Sequence, residues 1–407
     1  MNPKARAHTT RPRVVMVSTR ELDVARMDGR LRVAHAIRTS LAEGTDLSVI
    51  RLRSALTDVS VRRVWECSMA WLGSLLRGAP LPLQCALFAA ASDIRSVVDQ
   101  IPDDCVSVYT DGVRTYSLVA YLRRKRPDVR IVVDLDDLMS RRMSLLLQAS
   151  QPLSPGYLMR LLPKPLRVLA MSSVIGQLIV RYERMTLRNI EGKLAPLVDA
   201  LVLLSSEDAK VLIEQSGEHV RSSVEVIPPP TTLVSKPVRP SKPIRFVFIG
   251  SDTQTQNRLT IDYLVDLWRR RNLTAPLVFY GLWMRDIPLP PHVVSAGYAE
   301  ELVQVYDGSS VLLSPSLIAG GVKTKVLEAF AHGVAVIGSS ITFESMNTGD
   351  YPLRVDDEDE LVKLLTAPDE QAERFEAAAQ AGADYIKRLH SPEVFGERWR
   401  AIMTPRA

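Results

Sequence analysis

Apolar residues along this chain recur in two alternating patterns. Short β-branched runs bounded by polar residues are separated by stretches whose apolar positions repeat at helical spacing. Residues Arg13 to Ser18 read as a buried strand. From Asp28 to Glu43 the positions Leu31, Ala34, Ile37 and Leu41 share one helical face, with Gly44 placed as a C-cap. Asp46 to Leu52, Val106 to Tyr109 and Arg130 to Leu135 read as further strands, with a helix over Tyr116 to Arg124. Residues 64–100 and 155–195 read as largely helical insertions, and Asp199 to Ser205 as a late strand. Such alternation predicts a parallel sheet covered on both faces.

The pattern then breaks and restarts. Pro228, Pro229 and Pro230, followed by Pro237, Pro240 and Pro243, predict a stiff, non-helical connector. Beyond it, Ile244 to Gly250, Pro276 to Gly281, His292 to Gly297 and Ser310 to Ser316 read as strands. A helix is expected over Leu259 to Arg271, a short one over Glu300 to Tyr306, and two more over Glu370 to Arg388 and Ser391 to Met403. The expected fold class is α/β, with two Rossmann-like domains facing across a cleft. The boundaries read as 1–228, a linker at 229–243, 244–390, and a last segment at 391–407. A ligand is expected in the crevice at the strand C-termini.

Composition narrows the chemistry. The 407 residues are 46% hydrophobic and 24% charged, ordinary for globular domains. Cys67, Cys85 and Cys105 show no metal-ligand spacing and argue against a disulfide framework. The six histidines form no metal cluster, so no metal site is expected. The first residues lack an apolar core of a signal peptide, and no run is long enough to span a membrane, so a cytoplasmic location is expected. Residues 1–240 hold 34 Lys and Arg against 24 Asp and Glu, a net of +10, whereas the chain as a whole carries +5. A basic first half suggests an acidic partner. Nucleic acid is excluded because no binding module and no aromatic interleaving accompany the charge. The uncharged stretch from Val168 to Val180, flanked by Arg160, Lys164, Arg167, Arg181, Arg184 and Arg188, reads either as a segment lying on an anionic membrane or as a buried amphipathic helix.

The densest chemistry lies at residues 319–330. A strand runs into Gly320 and Gly321, then Lys323 and Lys325, then Glu328 on the opening turns of a helix. Glycines let backbone amides approach an anion, and a helix N-terminus offers free N–H groups and a positive dipole end. Two lysines add charge, and Glu328 is placed to accept hydrogen bonds from ribose hydroxyls.

With the continuation Ala331-His332-Gly333 and Glu344 just beyond, this stretch resembles the donor signature of GT-B glycosyltransferases of the group 1, or family 4, type. Gly250 and Ser251 followed by Asn257 resemble the glycine loop that faces the donor phosphates, and Ser295 to Tyr298 the segment beside the nucleobase. The resemblance covers roughly residues 244–346. It implies a nucleotide-sugar-dependent transferase, with Lys323 on the diphosphate, Glu328 on the ribose and amides near Leu327 on the phosphates. It also implies retention of anomeric configuration, a UDP- or GDP-sugar as donor, and a role in bacterial polysaccharide or glycolipid synthesis. No tightly bound cofactor is expected. The acceptor would be a glycan or a lipid-linked molecule, and the last helix would cross back to the first domain with Trp399 as its anchor. Family members often carry a first glutamate where this chain has Gly320. Lys325 is assigned as a second phosphate cation or a solvated lysine.

On the acceptor side, Asp136 and Asp137 end a strand and read either as the groups that orient an acceptor hydroxyl or as helix caps. Asp111 and the Asp28-Gly29-Arg30 turn are weaker candidates of the same kind. Two other readings stand beside the transferase: a sugar-nucleotide epimerase of the same architecture, and a degenerate sugar-nucleotide-binding partner subunit. A dehydrogenase is disfavoured because no GxGxxG follows a strand.

Overall fold

A computed structural model describes residues 11–22, 29–148, 173–237 and 239–404. Asp28, residues 168–172 of the Val168 to Val180 stretch with the flanking Arg160, Lys164 and Arg167, and the first ten residues lie outside the described residues.

The apolar runs form two parallel sheets. In the first, β1 (Arg13–Ser18), β2 (Asp46–Arg51), β3 (Cys105–Asp111), β4 (Arg130–Asp136), β5 (Ala200–Leu203) and β6 (Val224–Val226) stand in the order β2-β1-β3-β4-β5-β6. In the second, β7 (Arg245–Ile249), β8 (Leu277–Tyr280), β9 (Val293–Gly297), β10 (Ser310–Ser314) and β11 (Val336–Gly338) stand in the order β11-β10-β7-β8-β9. Val14, Val15, Met16 and Val17 are all fully buried, as a strand covered on both faces requires.

Longer helices cover these sheets. Those of the first half are α1 (Gly29–Gly44), α2 (Val61–Leu76), α3 (Ala91–Asp99), α4 (Tyr116–Lys125), α5 (Met139–Gln148), α6 (Ser173–Leu194) and α7 (Ser206–Ser216). Those of the second are α8 (Thr255–Arg270), α9 (Thr324–Ala331), α10 (Glu358–Thr366), α11 (Ala372–Leu389) and α12 (Pro392–Met403).

The departures from sequence expectation are local. The short helix near Glu300 shrinks to one 3-10 turn at Leu302–Gln304, and α9 starts at Thr324 with Lys323 as its N-cap. Strand β6 and helices α7 and α10 have no counterpart among the elements expected above, although α10 buries Leu361, Leu364 and Leu365 at helical spacing. The proline-rich connector is pinned along its length. Thr231 N donates to His390 O at 2.7 Å, and Val234 N donates to Ala331 O at 2.8 Å.

Helix α12 packs on α1. Arg400 donates to Ser40 O at 3.1 Å and to Glu43 at 2.9 Å, and Arg130 donates to Ile402 O at 2.7 Å. Trp399 is buried edge-on to Tyr109, with ring centroids 5.5 Å apart, inside the core of the first sheet.

Gly382 of α11 lies against the Phe330 ring of α9, where an added Cβ would approach to 2.3 Å. Neither the ring nor the helix backbone has room to give. Gly382→Ala is therefore expected to destabilise the second domain by about 1–3 kcal/mol, measured by urea denaturation, the usual cost of overpacking a core. An unchanged midpoint would show that the two helices part freely.

Candidate functional site

Both sheets have one place where adjacent strands send their connections in opposite directions, and a crevice opens there beyond the strand C-termini. In the second sheet it lies between β7 and β10. The loop after β7 carries Gly250 and Ser251, and the loop after β10 carries Gly320 and Gly321. In the first sheet it lies between β1 and β3, bordered by Thr19, Arg20, Asp111 and Gly112.

On the donor side, Gly320 and Gly321 have φ of 96° and 68°, a conformation that side chains resist. They let the chain fold back so that Lys323 Nζ donates to Gly320 O at 2.6 Å and to Ile318 O at 3.3 Å. Burial lowers the Lys323 ammonium to about 8, against the opposing pull of Asp137 and Glu344. Gly320 N donates to Glu344 Oε2 at 3.1 Å.

Two positions differ from a simple phosphate cradle. Lys325, read as a second phosphate cation or a solvated lysine, is half-buried against the Gly250 loop. Its Nζ donates to Asn257 Oδ1 at 3.0 Å and lies 4.1 Å from the centre of the Phe248 ring. Burial, and secondarily Lys323, lower it to about 7. Asn257 in turn donates to Ser251 O at 3.2 Å, so Lys325 braces the Gly250 loop from beneath. The second is Leu327. Its side chain is core, and its N–H is taken by Lys323 O at 3.3 Å. The amides that a helix start leaves open are those of Thr324 and Lys325. Tyr298 is exposed just beyond β9, whose last residue, Gly297, accepts from Gly281 N at 2.7 Å, and Gly281 in turn packs on Gly250.

Across the cleft, Arg30 is the hub of the first domain. Its Nη2 donates to Asp134 Oδ2 at 2.7 Å and to Asp111 Oδ1 at 3.2 Å, and its Nη1 lies 3.2 Å from Asp136 Oδ1. Tyr109 donates to Asp134 at 2.8 Å and Thr19 to Asp111 at 2.9 Å. Burial pushes the carboxyl groups up. Arg30, Arg20 and Arg114 outweigh burial at Asp111 and hold it at about 2, whereas Asp134 and Asp136 stay raised.

Asp136 has φ of 67°, a left-handed conformation uncommon outside glycine, at the mouth of a cavity of about 170 Å³. Arg20, Arg30, Arg114 and Arg142 line one part of that cavity, and Met139, Met143, Leu146, Ile179 and Val180 another. Asp137 is not among the residues lining it and pairs with Arg142, which is.

The two sides touch. Arg32 of α1 donates to Glu328 at 3.0 Å, and Arg141 of α5 pairs with both Glu344 and Asp208. A Cβ on Gly320 would meet Leu145 at 2.7 Å, and one on Gly321 would lie 3.3 Å from Asp137. Sequence reasoning missed Arg32 and Arg141 as parts of the site, and named Glu344 only as a continuation of the donor signature. Arg30 was visible only as a turn residue, because its partners lie 81 and 104 positions away. Among the described residues no group of His, Cys, Asp or Glu is arranged to hold a metal ion.

Residues 243–379 match the sequence profile described as glycosyl transferases group 1. No curated protein matches the chain in sequence at a significant level. Solved structures match it over nearly its whole length. Sucrose-phosphate synthase from Thermosynechococcus elongatus is 11% identical, with a TM-score of 0.63 over 95% of this chain and 97% of that one. The lipopolysaccharide outer core galactosyltransferase WaaB is 13% identical, with a TM-score of 0.56 over 96% and 98%. HepE from Anabaena, solved in complex with UDP and glucose, is 10% identical, with a TM-score of 0.56 over 95% and 98%. At such identities the structural likeness carries the fold alone, and the profile match covers residues 243–379.

Proposed function

We propose that this chain, a GT-B protein whose C-terminal domain belongs to the group 1 glycosyl transferases, moves a sugar from a nucleoside-diphosphate donor to a hydroxyl acceptor held over the first sheet. One observation carries the reading. Gly320, Gly321 and Glu328 meet Leu145, Asp137 and Arg32 of the first domain across the cleft, beside a cavity lined by Asp136, and Lys325 ties the same turn to the Gly250 loop.

As the glycosidic bond breaks, its electron pair passes to the departing diphosphate oxygen. The Lys323 ammonium and the amides of Thr324 and Lys325 are preorganised for that charge. Glu328 takes the ribose hydroxyls once it exchanges Arg32 for them. Asp136 orients the incoming hydroxyl, and the closed cleft holds the reactants in register. The reading extends to a UDP- or GDP-sugar donor and to transfer with retention. It further extends to a glycan or lipid-linked acceptor in bacterial polysaccharide or glycolipid synthesis, and to a cytoplasmic protein that touches an anionic membrane.

A thermal-shift screen of UDP, GDP, ADP and CDP tests the donor site. UDP or GDP is expected to raise the melting temperature, because a ligand that binds only the folded state stabilises it. A screen in which no diphosphate raises it would remove the donor assignment.

A further inference from the structure

Helix α2 turns its apolar side outward. Val61, Trp65, Leu72 and Leu76 share one face by their spacing, and Val61, Trp65 and Leu76 are 90%, 64% and 89% exposed. Val64, Met69 and Leu75 widen this stripe and are also exposed. The side turned into the protein carries Arg63, Cys67 and Ser74. An ordinary surface helix has the reverse arrangement. The orientation is firmly set. Arg63 pairs with Asp93, and Trp71 Nε1 donates to Tyr182 Oη at 2.9 Å.

Tyr182 belongs to α6, so the two helices meet at this hydrogen bond. The outward face of α6 is mixed. Exposed Val174, Leu178 and Met185 are interleaved with exposed Arg181, Arg184 and Arg188. Neither outward face offers a carboxylate. The acidic residues of the two helices are all paired: Glu66 accepts from Ser92 and from the exposed Arg62, Glu183 from Gln84, and Glu191 from Ser140.

We propose that α2 and α6 together form a docking surface for an anionic lipid bilayer. The apolar stripe of α2, with Trp65 at its centre, sits at the boundary between headgroups and acyl chains, and the arginines of α6 meet lipid phosphates. Charge decides the occupant: a stripe this apolar beside cations, with no acid on either face, complements a negatively charged lipid surface. Among the described residues no helix is long and apolar enough to cross a membrane, so this is a seat on the surface.

The surface has a consequence for the site. Helix α6 presents Ile179, Val180 and Glu183 to the cavity below Asp136 while its other face meets lipid. A lipid-linked acceptor reaches that cavity from the interface. This last step rests on the transferase reading; the docking surface itself does not.

The test is co-sedimentation of the full chain with vesicles of phosphatidylcholine mixed with phosphatidylglycerol, against phosphatidylcholine alone. Binding is expected to the mixed vesicles and to weaken with salt. W65S/L72S should lower the partition by roughly tenfold or more, the effect of withdrawing two large apolar side chains from the interface. R181Q/R184Q/R188Q should lower it by about tenfold or more at low salt and flatten the salt dependence. Both variants should keep the nucleoside-diphosphate thermal shift of the parent protein, so a failed donor assignment and a failed docking surface give different results. A wild-type protein that ignores mixed vesicles, or a W65S/L72S partition equal to wild type, would overturn the proposal. So would a dimer in sedimentation velocity that W65S/L72S dissolves, which would give this face to a second copy.

Discussion

Replacing Arg30 by methionine is expected to cost the first domain about 3–5 kcal/mol, the penalty for leaving buried charge without its partner. The guanidinium is buried and faces Asp111, Asp134 and Asp136 at once. Burial disfavours its charge, yet the three carboxylates outweigh that and hold its pKa well above the ordinary arginine value. Methionine keeps the volume of the stem and removes the charge.

The pH dependence gives the loss its signature. Burial already raises Asp134 and Asp136, and Arg30 is the main force holding them down. Without it, their folded pKa values rise further above the unfolded ones. The folded variant then binds more protons than the unfolded chain, so its stability is greatest at acid pH and falls as pH rises through the raised values. The deficit against wild type should therefore widen from pH 5 to pH 8 in urea denaturation. A deficit equal at both pH values would show that Arg30 packs and does not neutralise.

The second large effect is expected at Lys323. Lys323→Met should weaken nucleoside-diphosphate binding by about 1.5–3 kcal/mol in calorimetry, the range for charge-assisted hydrogen bonds. Lys323 also holds the glycine loop through the carbonyls of Gly320 and Ile318, so affinity alone does not separate contact from bracing. The pH profile does. Burial sets the free ammonium at about 8, and a bound diphosphate favours the charged form. Wild-type affinity should be full below pH 8 and fall as pH rises through it. Lys323→Met should lose that limb. A variant that binds weakly but keeps the limb would place Lys323 in a bracing role.

Lys325, lowered by burial to about 7, bonds its ammonium to Asn257 rather than to the glycine loop. Sequence spacing puts Lys323 and Lys325 on one helix turn and cannot tell them apart. The side chains diverge because Lys323 is the N-cap, outside the helix, whereas Lys325 is inside it and turns towards Phe248.

The chain determines much of this protein before it folds. The β-branched runs at Val14 to Val17 and Phe246 to Ile249, with helical periodicity between them, dictate two parallel α/β sheets, because only strands buried on both faces read as continuous apolar runs. Gly320 and Gly321 announce a left-handed turn, and Lys323 and Glu328 a cluster of donor-type groups, because these signals are local. What folding alone decided is nonlocal. Arg30 meets carboxylates from two other strands, Arg32 reaches Glu328 across 296 residues, and α2 shows its apolar side to solvent because Arg63 and Trp71 anchor the other. Charge pairs and helix orientation depend on which elements become neighbours. Strand order sets that, and no periodicity along the chain encodes it.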